Sequence, residues 1–221
     1  MKLGDAIPID AVLTGTPRPL GPERAPSAIG KRPVDGRVAV GLLGLSGDAQ
    51  ADLSVHGGPD KAIHHYPRDH YAGWIATLGA RPLLSAPGGF GENISTSGWT
   101  EADVCLGDRF RLGTALVEIA QGRQPCWKQA AHLGAPQVVA AIVATGRTGW
   151  YYRVIEEGTV RGGDTLAMVE RVLPQWPVSR LFALLIGGQH KGEPSALREL
   201  AGFDLLADGW RQRAARLARS G

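Results

Sequence analysis

Cys126 sits in the segment QGRQPCWKQAAHLG, with Arg123 three residues before it and Lys128 two residues after it. Cations close to a thiol favour the thiolate, the form that attacks electrophiles and ligates soft metals. Pro125 fixes the backbone just ahead of the sulfur. The same local sequence also suits a buried cysteine packed as a small hydrophobe, so both roles stay open on spacing alone. Cys105 differs, because Val104 and Leu106 flank it in a strand-like run; it reads as core.

A second group of polar residues lies in GLSGDAQADLSVHGGPDKAIHHYP, from Gly44 to Pro67. His56, Gly57 and Gly58 place a ring beside two residues able to expose backbone N–H groups, and Lys61 follows. Such a grouping can grip an anion such as phosphate, or it can simply turn the chain. Neither the Gly-Lys-Ser/Thr of a P-loop nor the glycine fingerprint of a dinucleotide site is present.

His56, His64, His65 and His70 raise the question of zinc. No HExxH occurs, and neighbours such as His64 and His65 point to opposite faces of a strand; the alternative is histidines satisfied in the core or in solvent. Farther on, GGFGENISTSGW sets Glu92 and Asn93 after a glycine-rich turn, and Asp108 opens a strand. Polar groups there orient ligands or close turns. A Cys–His hydrolase would pair Cys126 with His132 or His56. It needs a nucleophile signature such as a strand-to-helix elbow, whereas the sequence around Cys126 reads as a barrel loop with no helix behind it.

The elements that must position these residues are short. Thirty-one glycines and fifteen prolines among 221 residues favour many brief elements joined by tight turns. GRVAVG from Gly36 reads as a strand, and VCLGDRFRLG followed by ALVEIA reads as a hairpin. Gly113 and Thr114 form its two-residue turn, with Phe110 and Leu112 answered by Val117 and Ile119. DTLAMVERV from Asp164 is a further strand. Two helices interrupt the strands: PRDHYAGWIATLG, with Pro67 in its first turn and Tyr71, Trp74, Ile75 and Leu78 at helical spacing, and a second from Pro136 to Val143 that stops near Gly146.

This order argues for a closed or nearly closed β-barrel over residues 1–173, a linker at 174–177, and three short helices over 178–221. The last helix carries an apolar stripe of Trp210, Ala214 and Leu217.

Composition narrows the class further. Hydrophobic residues at 43% and charged residues at 20% describe a folded globular chain and exclude a disordered or collagen-like one. The net charge of +3 belongs to the tail, where Pro177 to Gly221 holds seven basic and four acidic residues. Arg211, Arg213, Arg216 and Arg219 read as a solvated helix face, and they lack the interleaved aromatics of a nucleic-acid surface beyond Trp210. Two cysteines make no disulfide framework, and MKLGDAIPID lacks a secretory apolar core, so the expected location is the cytoplasm. No apolar run approaches the ~20 residues of a membrane span.

The ordered set PSAIGK, GLSGDAQAD, HGGPDKA, YP, GFGENIST, GD, QGRQPC, GRTGWYYRVIEEG and GGD resembles the MOSC family, named for the carboxy-terminal domain of molybdenum cofactor sulfurases. The tail with LLADGWRQRAARL is similar to the three-helix end of its bacterial hydroxylaminopurine-resistance branch. The resemblance implies a mainly β chain with α, a MOSC-type β-barrel followed by a small three-helix domain. It also implies that Cys126, in the Pro-Cys motif, is the functional thiol, acting as a ligand to molybdenum in a molybdopterin cofactor or as a persulfide carrier.

By the same resemblance Arg123, Lys61 and Arg153 become candidates for cofactor phosphate or pterin oxygens. His56, with Gly57 and Gly58 beside it, and Asn93 become candidates for pterin edges. Trp127 shapes a substrate pocket, and Asp108 and Asp164 close turns. The implied activity is reduction of N-hydroxylated compounds such as N-hydroxylated purine base analogues, a detoxification. No flavin motif is visible and two cysteines cannot hold a four-cysteine cluster, so a separate electron-donating reductase is the expected partner; a homodimer is compatible with the sequence. Two rivals remain: a sulfur-transfer protein using a Cys126 persulfide, and a non-enzymatic module whose barrel docks a partner and whose basic tail contacts nucleic acid.

Overall fold

The computed structural model describes residues 1–49 and 57–220. The strands are β1 (Ala6–Thr14), β2 (Arg18–Leu20), β3 (Ala25–Ser27), β4 (Arg32–Pro33), β5 (Val38–Gly41), β6 (Gly44–Leu45), β7 (Ile63–Pro67), β8 (Ile94–Thr96), β9 (Arg109–Leu112), β10 (Ala115–Gly122), β11 (Trp150–Glu156), β12 (Gly158–Val160) and β13 (Thr165–Glu170). The helices are α1 (Asp69–Leu78), α2 (Trp127–Leu133), α3 (Val138–Thr145), α4 (Val178–Leu185), α5 (Pro194–Ala201) and α6 (Asp208–Ser220).

Seven strands close a barrel in the order β13, β9, β10, β11, β7, β8, β1, and β1 returns to β13 through the pair Ala6 and Ala167. Neighbours run antiparallel except β7 and β8, which run parallel with His65 opposite Ile94. The mainly β architecture with a closed barrel follows the expectation from the sequence. β4 continues the sheet at the far end of β1, while β12, β5 and β6 form a small separate sheet.

The β9–β10 hairpin has the predicted register, Phe110 opposite Val117 and Leu112 opposite Ala115. Its turn needs a left-handed residue, and Gly113 supplies it with φ 59°. The inward positions of these strands meet Ile9, Val12, Ile63, Ile94, Trp150 and Leu166 in the barrel interior. Each fully buried side chain of this size contributes roughly 1.5–3 kcal/mol.

A second apolar cluster covers the outside of the barrel and joins α1, α3 and the three last helices through Trp74, Phe90, Ile142, Phe182, Leu197 and Trp210. Residues 174–177 are packed within it: Trp176 is fully buried and its indole N–H donates to Glu199 at 2.9 Å. Val178 of α4 reaches the barrel cluster itself. The N–H of Ala207 donates to the carbonyl of Ala120 at 3.0 Å, which fastens the start of α6 to β10.

Two local expectations are corrected. Pro67 ends β7 and does not open α1, since it is still paired in the sheet, opposite Thr96, and the helix begins at Asp69. Three helices, not two, interrupt the barrel strands, because WKQAAHL directly after Cys126 folds as α2. Among the described residues no helix is long and apolar enough to cross a membrane.

Candidate functional site

The chain leaves the barrel at Gly122, passes through Arg123 to Pro125 and enters α2 at Cys126. Cys126 is the N-cap residue, extended at φ −141° and ψ 166°. Gln129 Oε1 accepts the backbone N–H of Cys126 at 3.2 Å, and the Cys126 sulfur faces the N–H of Gln129. This reciprocal cap satisfies N–H groups that a helix start leaves open. A strand therefore does lead to a helix across the thiol, contrary to the loop expected from the sequence; the apolar spacing of a seven-residue helix is too brief to announce it. Cys105, by contrast, is buried, with its sulfur 3.6 Å from the carbonyl oxygen of Pro174, and burial pushes its thiol up to about 11.

Cys126 stands where two cavities adjoin. The smaller is lined by Ser27, Ile29, Lys31, Asp48, Lys61, His64, Asn93, Arg123, Lys128 and Tyr151 as well as Cys126. The larger, about 550 Å³, shares Lys61, Arg123, Cys126 and Tyr151 and adds Gly57, Gly58, Gln121, Trp127 and, from α6, Asp208, Trp210, Arg213 and Arg216. That volume lies within the range of ordinary small-molecule sites.

Arg123 is 8% exposed, and its backbone and side chain are both tied down. Its N–H donates to Gly149 O at 3.1 Å, and the Thr148 hydroxyl donates to its carbonyl. Glu101 in turn accepts the N–H groups of Thr148 and Gly149 at 2.7 and 2.6 Å. On the other side the Arg123 guanidinium donates to Phe90 O, in a turn that buried Glu92 organises by accepting from Gly88, Phe90 and Tyr71. Two buried carboxylates thus frame the loops between which Arg123 projects.

Lys31 pairs with Asp48 at the floor of the smaller cavity. Burial lowers the Lys31 ammonium, opposed by Asp48. Asp48 also accepts from Gly15 N and from the Asn93 amide, each at 2.8 Å. Asn93 donates further to Leu13 O at 3.1 Å and accepts the N–H of His64 at 3.0 Å. Its side chain is therefore occupied as a brace between β1 and β7. His64 is held neutral, its basicity lowered well below the usual value by burial first and by Arg123 next.

The other sequence candidates fall in different places. Cys126, Lys61, Asn93 and Arg123 line the smaller cavity together, and Gly57 and Gly58 line the larger. Burial lowers the Lys61 ammonium, with Asp60 opposing. Arg153 does not line either cavity: it bonds Asp60, Glu118 and Leu205 O, each at 2.9 Å. His56 lies outside the described residues. Asp108 accepts the N–H of Cys105 and pairs with Arg171, and Asp164 accepts the N–H of Arg161, so both close turns.

His64 and His65 do point to opposite sides. His65 is buried between Tyr152 at 2.9 Å and Thr96 at 2.8 Å, while His64 lines the smaller cavity. His132 packs near Gly30 and lines neither cavity, so it forms no Cys–His pair there. Among the described residues no group of three His, Cys, Asp or Glu side chains could hold a metal ion.

Of the cavity residues Lys31, Asp48, His64 and Tyr151, the sequence singled out only His64, and that one for zinc. The signal was present in the motif stretches PSAIGK, GLSGD and GWYYR, which contain three of them.

The MOSC domain model matches residues 52–167, just over half of the chain. The chain belongs to the MOSC family. This MOSC chain is 45% identical over 151 residues to protein YiiM of Escherichia coli (strain K12), covering 68% of the chain and 67% of that protein. It is 39% identical over 153 residues to a protein of Gibberella moniliformis named "Reductase", covering 69% of the chain but 27% of that protein. The crystal structure of YiiM from Geobacillus stearothermophilus superposes with a TM-score of 0.80 at 32% identity, covering 97% of this MOSC chain and all of that one.

Proposed function

We propose that this MOSC protein is an oxidoreductase that binds a molybdopterin-type molybdenum cofactor and reduces N-hydroxylated compounds, N-hydroxylated purine base analogues among them. The observation that carries this is the donor set around Cys126: one half-buried thiol on a smaller cavity whose wall holds Lys31, Lys61, Arg123 and Lys128 against a single carboxylate, Asp48, already paired. A thiol among cations fits a soft metal bound within an anionic, phosphate-bearing group. The family and the reductase-named relative favour the same class.

On this reading Cys126 is the protein's ligand to molybdenum, and Arg123, Lys61 and Lys128 hold the cofactor's phosphate and polar edges. When bound, the cofactor supplies two-electron chemistry at the metal. The protein's own part is positional. The α2 cap fixes where the sulfur points, the Glu101 and Glu92 frames fix the Arg123 guanidinium, and the Asp48–Asn93 brace fixes the cavity floor. Reduction of an N-hydroxy group takes up two electrons and two protons, breaks the N–O bond and releases an amine and water. A separate reductase in the cytoplasm supplies the electrons.

The test is molybdenum and pterin content after expression in a host with an intact cofactor pathway, followed by turnover of 6-hydroxylaminopurine with a reduced viologen. The expected result is about one molybdenum per chain and amine formation. A persulfide on Cys126 without molybdenum would replace this reading with sulfur transfer. Salt-dependent capture of nucleic acid with neither would replace it with a binding module.

A further inference from the structure

The larger cavity has a wall that the cofactor reading leaves unused. Of the cations that line it, Arg123 and Lys61 serve the cofactor on that reading, whereas Arg213 and Arg216 have no ion-pair partner among the described residues, and both of its carboxylates are neutralised from outside. Asp60 pairs with Arg153 at 2.8 Å and Asp208 with Arg211 at 3.0 Å, and neither arginine lines the cavity. The net positive charge of this wall is therefore uncompensated. Arg213 and Arg216 both come from α6, one turn apart on one face, and the smaller cavity contains no α6 residue. The cations form two groups on either side of Cys126: one on the barrel and one on the last helix.

Trp127 completes the wall. It is 51% exposed although it directly follows the thiol, and its ring lies against Gly21, where a Cβ would stand 3.6 Å from the indole. The indole is thereby backed by the β2–β3 turn while it lines the larger cavity. A supported indole beside a cavity is a stacking platform for a planar ring.

We infer that this wall is a substrate subsite for a phosphorylated N-hydroxylated base, with Trp127 against the base and Arg213 and Arg216 on the phosphate. The inference rests on the reductase reading and names its substrate class as a nucleotide in preference to the free base. Arginine is suited to the task because its planar fork pairs with phosphate oxygens two at a time. Arg213 already donates to Leu185 O, which holds it in place, while the Arg216 side chain is exposed and makes no ion pair among the described residues.

The experiment uses the cofactor-loaded protein with a reduced viologen and two substrates that share one base, 6-hydroxylaminopurine and its riboside 5′-monophosphate. The expected kcat/KM preference for the monophosphate is roughly tenfold or more, as one charge-assisted contact allows. In Arg216→Ala the ratio falls toward one, and in Arg216→Lys it is partly restored. Calorimetric titration with adenosine 5′-monophosphate gives a second readout: binding to the loaded wild type, weakened about tenfold in Arg216→Ala.

A ratio near one in the wild type, or a ratio untouched by Arg216→Ala, overturns the subsite. So does adenosine 5′-monophosphate binding only to cofactor-free protein, which would assign the arginines to the cofactor. If neither substrate turns over but the nucleotide binds the loaded protein through Arg216, the subsite stands and the reductase reading fails.

Discussion

Gln129 Oε1 accepts the backbone N–H of Cys126, so the residue that carries the thiol is also the residue that starts α2. Serine is among the preferred N-cap residues. Cys126→Ser is therefore expected to keep its helix and to change unfolding free energy by less than about 1 kcal/mol. Molybdenum content and reductase activity should both drop to background, because oxygen is a poor replacement for a soft donor. Metal analysis beside a thermal melt checks this, and equal molybdenum in both proteins would remove Cys126 from the metal.

Glu101 is expected to matter for stability as much as for the site. Its Oε1 takes two buried backbone N–H groups, and its Oε2 lies 2.6 Å from His70. Glu101→Ala strands both amides, at about 1–3 kcal/mol each. Glu101→Gln keeps the carbonyl acceptor and should lose markedly less. Urea unfolding of the two variants without cofactor separates them; the same loss in both would show that the charge, not the acceptor, carries the effect.

The buried histidines set a pH dependence. Burial pushes His65 down to about 3 from 6.5, and His64 shifts in the same direction. Between those values the unfolded chain binds more protons than the folded one, so the free energy of unfolding rises with pH. The contribution is complete above pH 6.5 and is lost as pH falls toward 3. Each histidine adds a slope of about 1.4 kcal/mol per pH unit within the window. Urea midpoints should fall between about pH 7 and about pH 5, and His65→Gln should flatten that fall. An unchanged slope would mean that His65 is not buried neutral.

Gly122 is where α6 meets the barrel. A Cβ there would lie 3.0 Å from Trp210 Cη2 and 3.4 Å from Val178 Cγ1. Gly122→Ala must therefore push Trp210 outward and displace the wall that carries Arg213 and Arg216. Overpacking of this kind costs typically 1–3 kcal/mol. The KM for substrate should rise while molybdenum content holds, since the cations of the smaller cavity are untouched. Loss of molybdenum instead would tie α6 to the cofactor. Point variants of this sort are cleaner than removal of the tail, which would uncover Ala120, Gly122 and the packing site of Val178.

Much of the fold was legible because its signals are local. The Gly113 turn with Phe110 opposite Val117, the stop of α3 at Gly146, and the three helices of the tail are written in glycine positions and apolar spacing. The helix α2 was not, since its seven residues carry too few turns for a period to show. Pro67 misled for a related reason: proline suits both a helix start and the end of a strand.

The sequence by itself determined the barrel class, the family through its ordered motifs, and Cys126 as the thiol of interest. Only the tertiary structure decided what surrounds that thiol. Lys31 from the start of the chain, Lys61 beside β7, Arg123 after β10 and Arg216 near the end converge because barrel closure and helix packing bring together residues far apart in sequence. The same convergence gives Arg153, which the family resemblance had nominated, Asp60 and Glu118 as partners. Charge adjacency along a chain and charge adjacency in space are separate quantities. The second depends on non-local contacts, which are fixed only when the apolar faces of all the elements are buried together.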